Sequence, residues 1–357
     1  MKDKVVIAAV GDIMAGDHQL YWGVGVKSLT EEKEIFVFKY VEKILSEADV
    51  VFGNLETVLS NCVKNHCYDS LIFRGNSNFV EQLKKAHFNI LNIANNHIQQ
   101  HGQQQLLNTI NLLRRNEINV IGINNLQPQV MVFKDIKLGF LGYSLRPEQY
   151  ANKAIYSKES EEKLLSDIIK TKEQVDYLAI SLHWGDEYVS LPSSWQVGLA
   201  HKLVDSGASI ILGHHPHVLQ GIESYKQGVI VYSLGNFVSD MCQKQAKETM
   251  ILKLILDGGV SYEIIPCKIN NNFQPTPFKG EEKKQSLNTI KKLSNLPGLP
   301  QEEYKKLVKN SVIRFRREYR RFLMKNWYKY PIKNLIAIFY DFTLRRLKIP
   351  GINQGTI

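Results

Sequence analysis

Cysteine is scarce: Cys62, Cys67, Cys242 and Cys267 are all that 357 residues contain. Four scattered thiols do not make the dense disulfide framework by which small secreted domains replace a core, so reduced thiols are expected. Cys62, His66 and Cys67 lie close together, but no second Cys/His pair follows at zinc-finger spacing. Long apolar runs are also missing. Val5 to Val10 and Leu335 to Tyr340 are six residues each, against about 20 needed to cross a bilayer. The opening Met1-Lys2-Asp3-Lys4 and its short apolar run lack the body of a secretory signal, which gives the expectation of a cytoplasmic protein.

Acidic charge is lacking in one region only. The whole chain carries 45 Lys and Arg against 35 Asp and Glu, a net +10. Residues 281–357 hold 18 basic and 6 acidic side chains, +12, which leaves the first 280 residues at −2. The excess therefore describes an appendage and not the body. With 44% hydrophobic and 22% charged residues, the body is able to bury a large core.

What is present is an alternation of strand and helix signals. Glu31 to Asp49 has helical spacing and runs into the extended Val50-Val51-Phe52. The same unit recurs as Phe79 to His87 before Asn89 to Ala94, Ser160 to Lys172 before Tyr177 to His183, and Trp195 to Ser206 before Ser209 to Leu212. Ile118 to Ile123, Val130 to Phe133, Leu138 to Tyr143 and Val229 to Tyr232 add strands. Thr249 to Leu256 and Val260 to Ile265 read as an antiparallel pair around Asp257-Gly258-Gly259. The fold class is α/β. Asn271 to Gly280, with two prolines, reads as a boundary loop between a body of residues 1–270 and an extension of residues 271–357.

Six polar segments stand at the strand ends: Gly11-Asp12, Gly53-Asn54-Leu55-Glu56, Asn95-Asn96-His97, His183 to Glu187, Gly213 to His217, and Ser233 to Asn236. Ligands of α/β sheets sit at the carboxyl ends of strands. Asp, Glu, Asn and His converging there form a donor set for divalent cations. Two such ions can clamp a phosphoryl group, and an imidazole beside them can exchange a proton near neutral pH. Arg74 reads as exposed, with a substrate-anion clamp as the alternative. Asp186 and Glu187 read as an acidic rim, or Glu187 as a partner of a ligand histidine. His18, His66, His87, His101 and His201 read as ordinary histidines.

The order of these motifs, extended by Tyr188, Val218 and Phe237, resembles the CapA family of capsule and poly-γ-glutamate synthesis proteins over about residues 4–270. That family is similar to the calcineurin-like metallophosphoesterases. The resemblance implies a four-layer αββα sandwich and a centre of one or two divalent ions, Mn, Zn or Fe. By position it implies Asp12, Glu56, Asn96, His183, His215 and His217 as metal ligands and His97 as general acid. Asn54, Arg74, His214, Glu187 and Asn236 complete the candidates as substrate contacts, with His214 also an alternative ligand to His215. The implied work is metal-dependent hydrolysis on an anionic polymer or phosphorylated glycan, beside other polymer-synthesis proteins; the alternative is a non-catalytic assembly component. Three positions depart from the pattern. Met14 replaces a histidine, Asn54 a bridging aspartate, and Gln100 an aspartate three residues after His97.

In the extension, Lys305 to Lys329 interleaves aromatic and aliphatic residues with arginines, the pattern of a basic amphipathic helix. With Leu335 to Tyr340, Arg345, Arg346 and Lys348, it fits attachment to an anionic membrane surface through residues 305–348, or packing on the body with its charges in water. No glycine or aromatic platform of a nucleic-acid module accompanies it.

Overall fold

The computed structural model describes residues 4–62, 71–124, 128–296 and 298–346, without the side chains of Gln19 and 341–346. His66, Cys67 and Lys348, and the side chains of Arg345 and Arg346, lie outside the described residues. Cys62 is an exposed free thiol.

Two sheets face each other. The first has eight strands, seven of them in the order Pro275–Pro277, Val260–Ile269, Glu248–Leu256, Val5–Ile13, Val50–Leu55, Ile90–Asn92 and Asn119–Ile121; Asn236–Val238 also pairs with Val5–Ile13. The second has six, in the order Ile222–Tyr225, Gly228–Val231, Ile210–His214, Tyr177–His183, Ile136–Ser144 and Gln129–Phe133. Between them lies an apolar layer that includes Ile7, Ala9, Phe52, Ile90, Phe140, Ala179, Ile210 and Leu212. The outer face of the first sheet packs on helices Glu42–Ser46, Phe79–Lys85 and Gln103–Arg115 through Leu45, Leu83 and Ile110. The outer face of the second packs on Glu161–Lys172 and Ser194–Asp205 through Leu164, Ile168, Leu199 and Leu203. These are the four layers of the expected sandwich. The central strands, such as Val50–Leu55, Tyr177–His183 and Ile210–His214, are buried on both faces, which is why they read as near-continuous apolar runs.

Local signals set several boundaries. Ser193 opens the Ser194–Asp205 helix with a capping box, its side chain accepting from Gln196 N–H while the Gln196 side chain reaches back. Ser160 caps Glu161–Lys172 more simply, its side chain accepting from Lys163 N–H.

Three expectations differ from the structure. The helix expected over Glu31 to Asp49 is two helices, Val26–Lys33 and Glu42–Ser46, because Glu34 turns to a left-handed φ of 49° and the chain then buries Val37 and Phe38 without helical bonding. Gln103–Arg115 is a 13-residue helix that the sequence reading passed over. Within the expected boundary loop, Pro275–Pro277 is a strand paired with Val260–Ile269; it lies at the sheet edge, where missing N–H donors are tolerated.

Beyond residue 280 come helices Gly280–Ser294, Gln301–Asn326 and Ile332–Arg346, with a turn at Trp327–Lys329. Among the described residues no helix is long and apolar enough to cross a membrane.

Candidate metal centre

Strand parity builds the site. Val5, Ile7 and Ala9 face the opposite sheet, and parity would place Gly11 next. The pairing with Val50–Leu55 shifts between Ala9 and Asp12, so that Asp12 takes that place and stands level with Asn54 on one side and Asn236 on the other. Gly11 has no room for a side chain: a Cβ there would lie 2.0 Å from Gly235 O. Asn54 is level with Asn92, following Phe52 and Ile90. In the second sheet Ala179 leads to His183, and Ile210 and Leu212 to His214, with His214, His183 and Ser144 in one register row. Both inter-sheet faces thus turn from apolar to polar at the carboxyl ends of their strands.

The two rows meet. Asn54 Nδ2 donates to Asp12 Oδ1 at 2.8 Å, and Asn92 Nδ2 to Asn54 Oδ1 at 3.0 Å. His214 Nδ1 lies 3.1 Å from Asp12 Oδ1, and His215 N–H donates to Asp12 Oδ2 at 3.2 Å. His217 Nδ1 lies 3.0 Å from Asn236 Oδ1 and 3.3 Å from Asp12 Oδ2. His183 Nε2 meets Asn96 Oδ1 at 2.7 Å and stands 3.4 Å from Glu56 Oε1. Asp12, Glu56, His183 and His214 have no solvent exposure, and Asn96, His215 and His217 are almost as deeply buried.

Against this hydrogen bonding, certain atoms have no partner. Both carboxylate oxygens of Glu56, both ring nitrogens of His215 and Nε2 of His214 are buried without one. A buried polar atom in that state costs about 1–3 kcal/mol. His215 and His217 also hold positive φ, 94° and 58°, a backbone state uncommon outside glycine. Three overlapping donor groups have ligand atoms within 4.8 Å of one another: Glu56, His183 and His215; Glu187, His215 and His217; and Asp12, Glu56 and His217. Each can hold a metal ion. Glu56, His215 and His217 each belong to two groups, the sharing expected of two adjacent positions.

Charge follows from this crowding. Burial works against the Asp12 carboxylate, but hydrogen bonds and positive charge from His214 and His217 outweigh it and hold Asp12 well below the usual carboxylate range. Burial, with Asp12 and Glu187 nearby, drives Glu56 well above it. His217 is pushed up to about 10, because Glu56, Asp12 and Glu187 overcome its burial. His183 and His215 are driven well below 6.5 by burial and by neighbouring cations. With protons alone to balance it, the cluster favours positive charge on His217, 3.3 Å from the Asp12 carboxylate.

The expected donors Asp12, Glu56, Asn96, His183, His215 and His217 are thus brought together, with Glu187 at the rim. His97 stacks on Phe73 at 4.3 Å, and its Nδ1 lies 3.0 Å from Gln100 Oε1, so the amide occupies the orienting place of the replaced aspartate. Burial holds His97 down to about 4, so the free protein carries it neutral near pH 7 and not protonated as the sequence reading required. His214, Asn54 and Asn236 spend polar atoms on Asp12 and His217. Arg74 is not exposed. It is 3% exposed, sits in a two-stranded sheet with Val58–Leu59, and donates from Nη1 to Ser60 O at 2.6 Å. Met14 is buried in an apolar cluster with Tyr188 and Phe315.

Two contributors were passed over. Asn92 anchors Asn54, a role readable from its parity with Ile90. His18, read as ordinary, is buried edge-on against the same Phe73 ring as His97, and its Nδ1 accepts Leu20 N–H.

Fold and cluster together define an α/β protein of two packed sheets with a buried carboxylate–imidazole centre able to hold metal. Residues 6–241 match the family described as bacterial capsule synthesis protein PGA_cap, and the chain belongs to that family. Among similar proteins, the capsule biosynthesis protein CapA of Bacillus anthracis is 32% identical over 297 residues, covering 77% of this chain and 70% of its own. The PGA biosynthesis protein CapA of Bacillus subtilis is 31% identical, covering 79% and 76%. Of solved structures, a hypothetical protein from Thermus thermophilus aligns with a TM-score of 0.48 at 14% identity, over 74% of this chain and 99% of that one. A putative 5'-nucleotidase from Staphylococcus aureus aligns at 0.47 and 12%, over 81% and 58%.

Proposed function

We propose that this protein is a metal-dependent hydrolase of phosphoesterase type that acts in the synthesis of a capsule or poly-γ-glutamate-like envelope polymer. The observation that carries the reading is the set of partnerless atoms on Glu56 and His215, buried among His183, His217 and Asp12. Such atoms, carboxylate oxygens and imidazole nitrogens gathered within 4.8 Å in the donor groups, fit a cation. Asp12, Glu56, Asn96, His183, His215 and His217 hold one or two divalent ions, with residues 1–270 as the unit that carries them and 271–357 as an extension.

A divalent cation there supplies Lewis acidity toward a phosphoryl oxygen and a water. The protein's own groups do the rest. His214 and Asn54 fix the two faces of Asp12, and Asn236 turns the His217 ring. His97, its Nδ1 held against Gln100 Oε1, would give the leaving oxygen a proton from Nε2 only in its doubly protonated form, the form that burial disfavours in the free protein. Glu187 bounds the mouth toward an anionic polymer or phosphorylated glycan.

Asn54 favours a second reading, a binding or assembly component of the synthesis machinery. Its amide donates to Asp12 and accepts from Asn92, so a neutral hydrogen-bonded link stands where a bridging carboxylate would bind two ions. Metal analysis of the purified protein, with a phosphomonoester and phosphodiester screen in Mn²⁺ or Zn²⁺, tests both. Turnover abolished by His183→Ala supports the hydrolase; stoichiometric metal without turnover supports the assembly component; neither metal nor turnover ends the hydrolase reading.

A further inference from the structure

The helices after residue 300 have two unlike faces. One packs on the body beside the metal centre. Phe315 stacks on Tyr188 with ring centroids 4.0 Å apart, and Tyr188 lies 6.2 Å from the His217 ring. Tyr319 and Phe322 join Met14 and Tyr21 in the same apolar cluster, and Tyr304 Oη accepts Asp186 N–H. Farther along, Tyr330 Oη donates to Leu20 O and Asn334 Nδ2 to Trp22 O, which clamps the last helix on the segment that follows Asp12.

The other face is exposed among the described residues. Trp327, Tyr328, Ile332, Ile336, Phe339 and Tyr340 are 56–77% exposed. On the last helix the exposed apolar positions fall at i, i+4, i+7 and i+8, one stripe, while Asn334 and Ile338 on the opposite side are buried. A contiguous apolar stripe of this kind marks an interaction surface. Basic residues dominate its surroundings, with Glu318 and Asp341 as the nearest acidic residues in sequence. Arg317, Arg320, Arg321, Lys325, Lys329 and Lys333 are all exposed, and no acidic residue lies between Tyr319 and Tyr340.

We infer that this stripe docks the protein on an anionic lipid bilayer, with the aromatic and aliphatic side chains in the headgroup boundary and the arginines and lysines on the lipid charge. The chemistry selects that occupant. Trp and Tyr favour the polar–apolar boundary of a membrane. Basic side chains near an anionic surface each add attraction of the order of fivefold in partitioning. A second copy of the chain would bring its own +12 extension against the first, and like charge opposes that pairing. No helix among the described residues spans a bilayer, so the attachment is interfacial. Because the same helices pack on Tyr188 and Met14 beside His217, docking would hold the body with the metal centre near the lipid surface, which suits a substrate that is lipid-linked or assembled there.

The test is flotation of the full-length protein with vesicles of three parts phosphatidylcholine to one part phosphatidylglycerol, beside pure phosphatidylcholine, with sedimentation velocity on the free protein. The wild type floats with the anionic vesicles, floats little with the neutral ones, and comes off in about 0.5–1 M salt, where screening is severe. Arg320→Glu with Arg321→Glu lowers partitioning at least about tenfold, and Ile336→Glu with Phe339→Ser lowers it comparably. All four positions are exposed, so thermal melting confirms that the variants keep the fold. Equal flotation of wild type and variants overturns the inference. So does failure of the wild type to float, or a dimer in the free protein that Ile336→Glu with Phe339→Ser dissolves.

Discussion

Replacing His215 with leucine should stabilise the metal-free protein while removing its response to metal. His215 is 1% exposed, both ring nitrogens are without partners, and burial with the neighbouring His183 keeps the ring neutral. Each such atom carries a desolvation cost of about 1–3 kcal/mol. Leucine has similar volume and no polar atom, but it inherits the same 94° φ, a backbone state that histidine tolerates better, and this trims the gain. A gain of about 1–2 kcal/mol is expected after imperfect packing is allowed for. The assay is urea denaturation in EDTA and again in excess Mn²⁺. Wild type should gain about 3 kcal/mol with the ion near a hundredfold above its Kd, and His215→Leu should gain little. A variant that is destabilised by several kcal/mol in EDTA, yet shows the full metal gain, would refute the reasoning, because His215 would then be a packing residue and not a ligand.

Other perturbations separate the parts. Asn54→Asp places a second carboxylate at the 2.8 Å contact with Asp12, so in EDTA it should cost at least about 2 kcal/mol, and metal should restore the loss; mass spectrometry under native conditions should count more bound ions than in wild type. Phe315→Ala removes the stacking partner of Tyr188, a side chain 4% exposed, and should cost about 3–4 kcal/mol in chemical denaturation, with earlier proteolysis of the terminal helices. Asp240, buried beside Asp17, is pushed up to about 8 by burial and by that neighbour. Its folded pKa lies above the unfolded value, so the stability it contributes is fully present below about pH 4 and is lost as pH rises to about 8. Asp240→Asn should therefore match wild type near pH 4 and exceed it at about pH 8.5 by at least about 1 kcal/mol, read as the difference in Tm between the two pH values; an equal difference at both would contradict the burial argument.

The strand pattern was legible because each central strand is apolar on both faces and stops at a polar residue. Val50–Leu55, Tyr177–His183 and Ile210–His214 begin and end close to where periodicity places them. The Val26–Lys33 helix and its break were not, since Phe36 and Phe38 keep an apolar rhythm through a segment whose backbone is held by tertiary burial and not by helical bonds. Arg74 shows the same limit. A cation in Phe73-Arg74-Gly75 reads as exposed, but a two-residue strand pair supplies a carbonyl acceptor inside the body that no local signal announces. The donor residues were visible in the motifs, whereas the division of labour among them was not. His214 and His215 are neighbours in sequence, and only the end of the strand between them sends one ring to Asp12 and leaves the other without a partner.

That division explains how the centre accommodates its departures. At Asp12 the partner where the resemblance implies a carboxylate is an amide, which donates where a carboxylate would repel, while His214 and His217 hold Asp12 ionised without an ion beside it. Gln100 makes the same exchange at His97: it orients the ring but adds no negative charge, and burial then decides the protonation state. Met14 faces the apolar cluster that receives Phe315 and Tyr319, so one lost donor became the seat of the terminal helix. Each change lowers the negative charge or the donor count on the Asp12 side of the cavity. Asn54 also reaches the other side, 3.4 Å from His183 Nδ1, but the ligand atoms of Glu56 and His215 there are left without a hydrogen-bond partner. The predicted order of metal binding follows: the Glu56–His183–His215 position fills first, and His183→Ala weakens the first binding step in calorimetry more than Asp12→Asn does. The reverse ranking would mean that the amide at Asn54 has not weakened the side it touches.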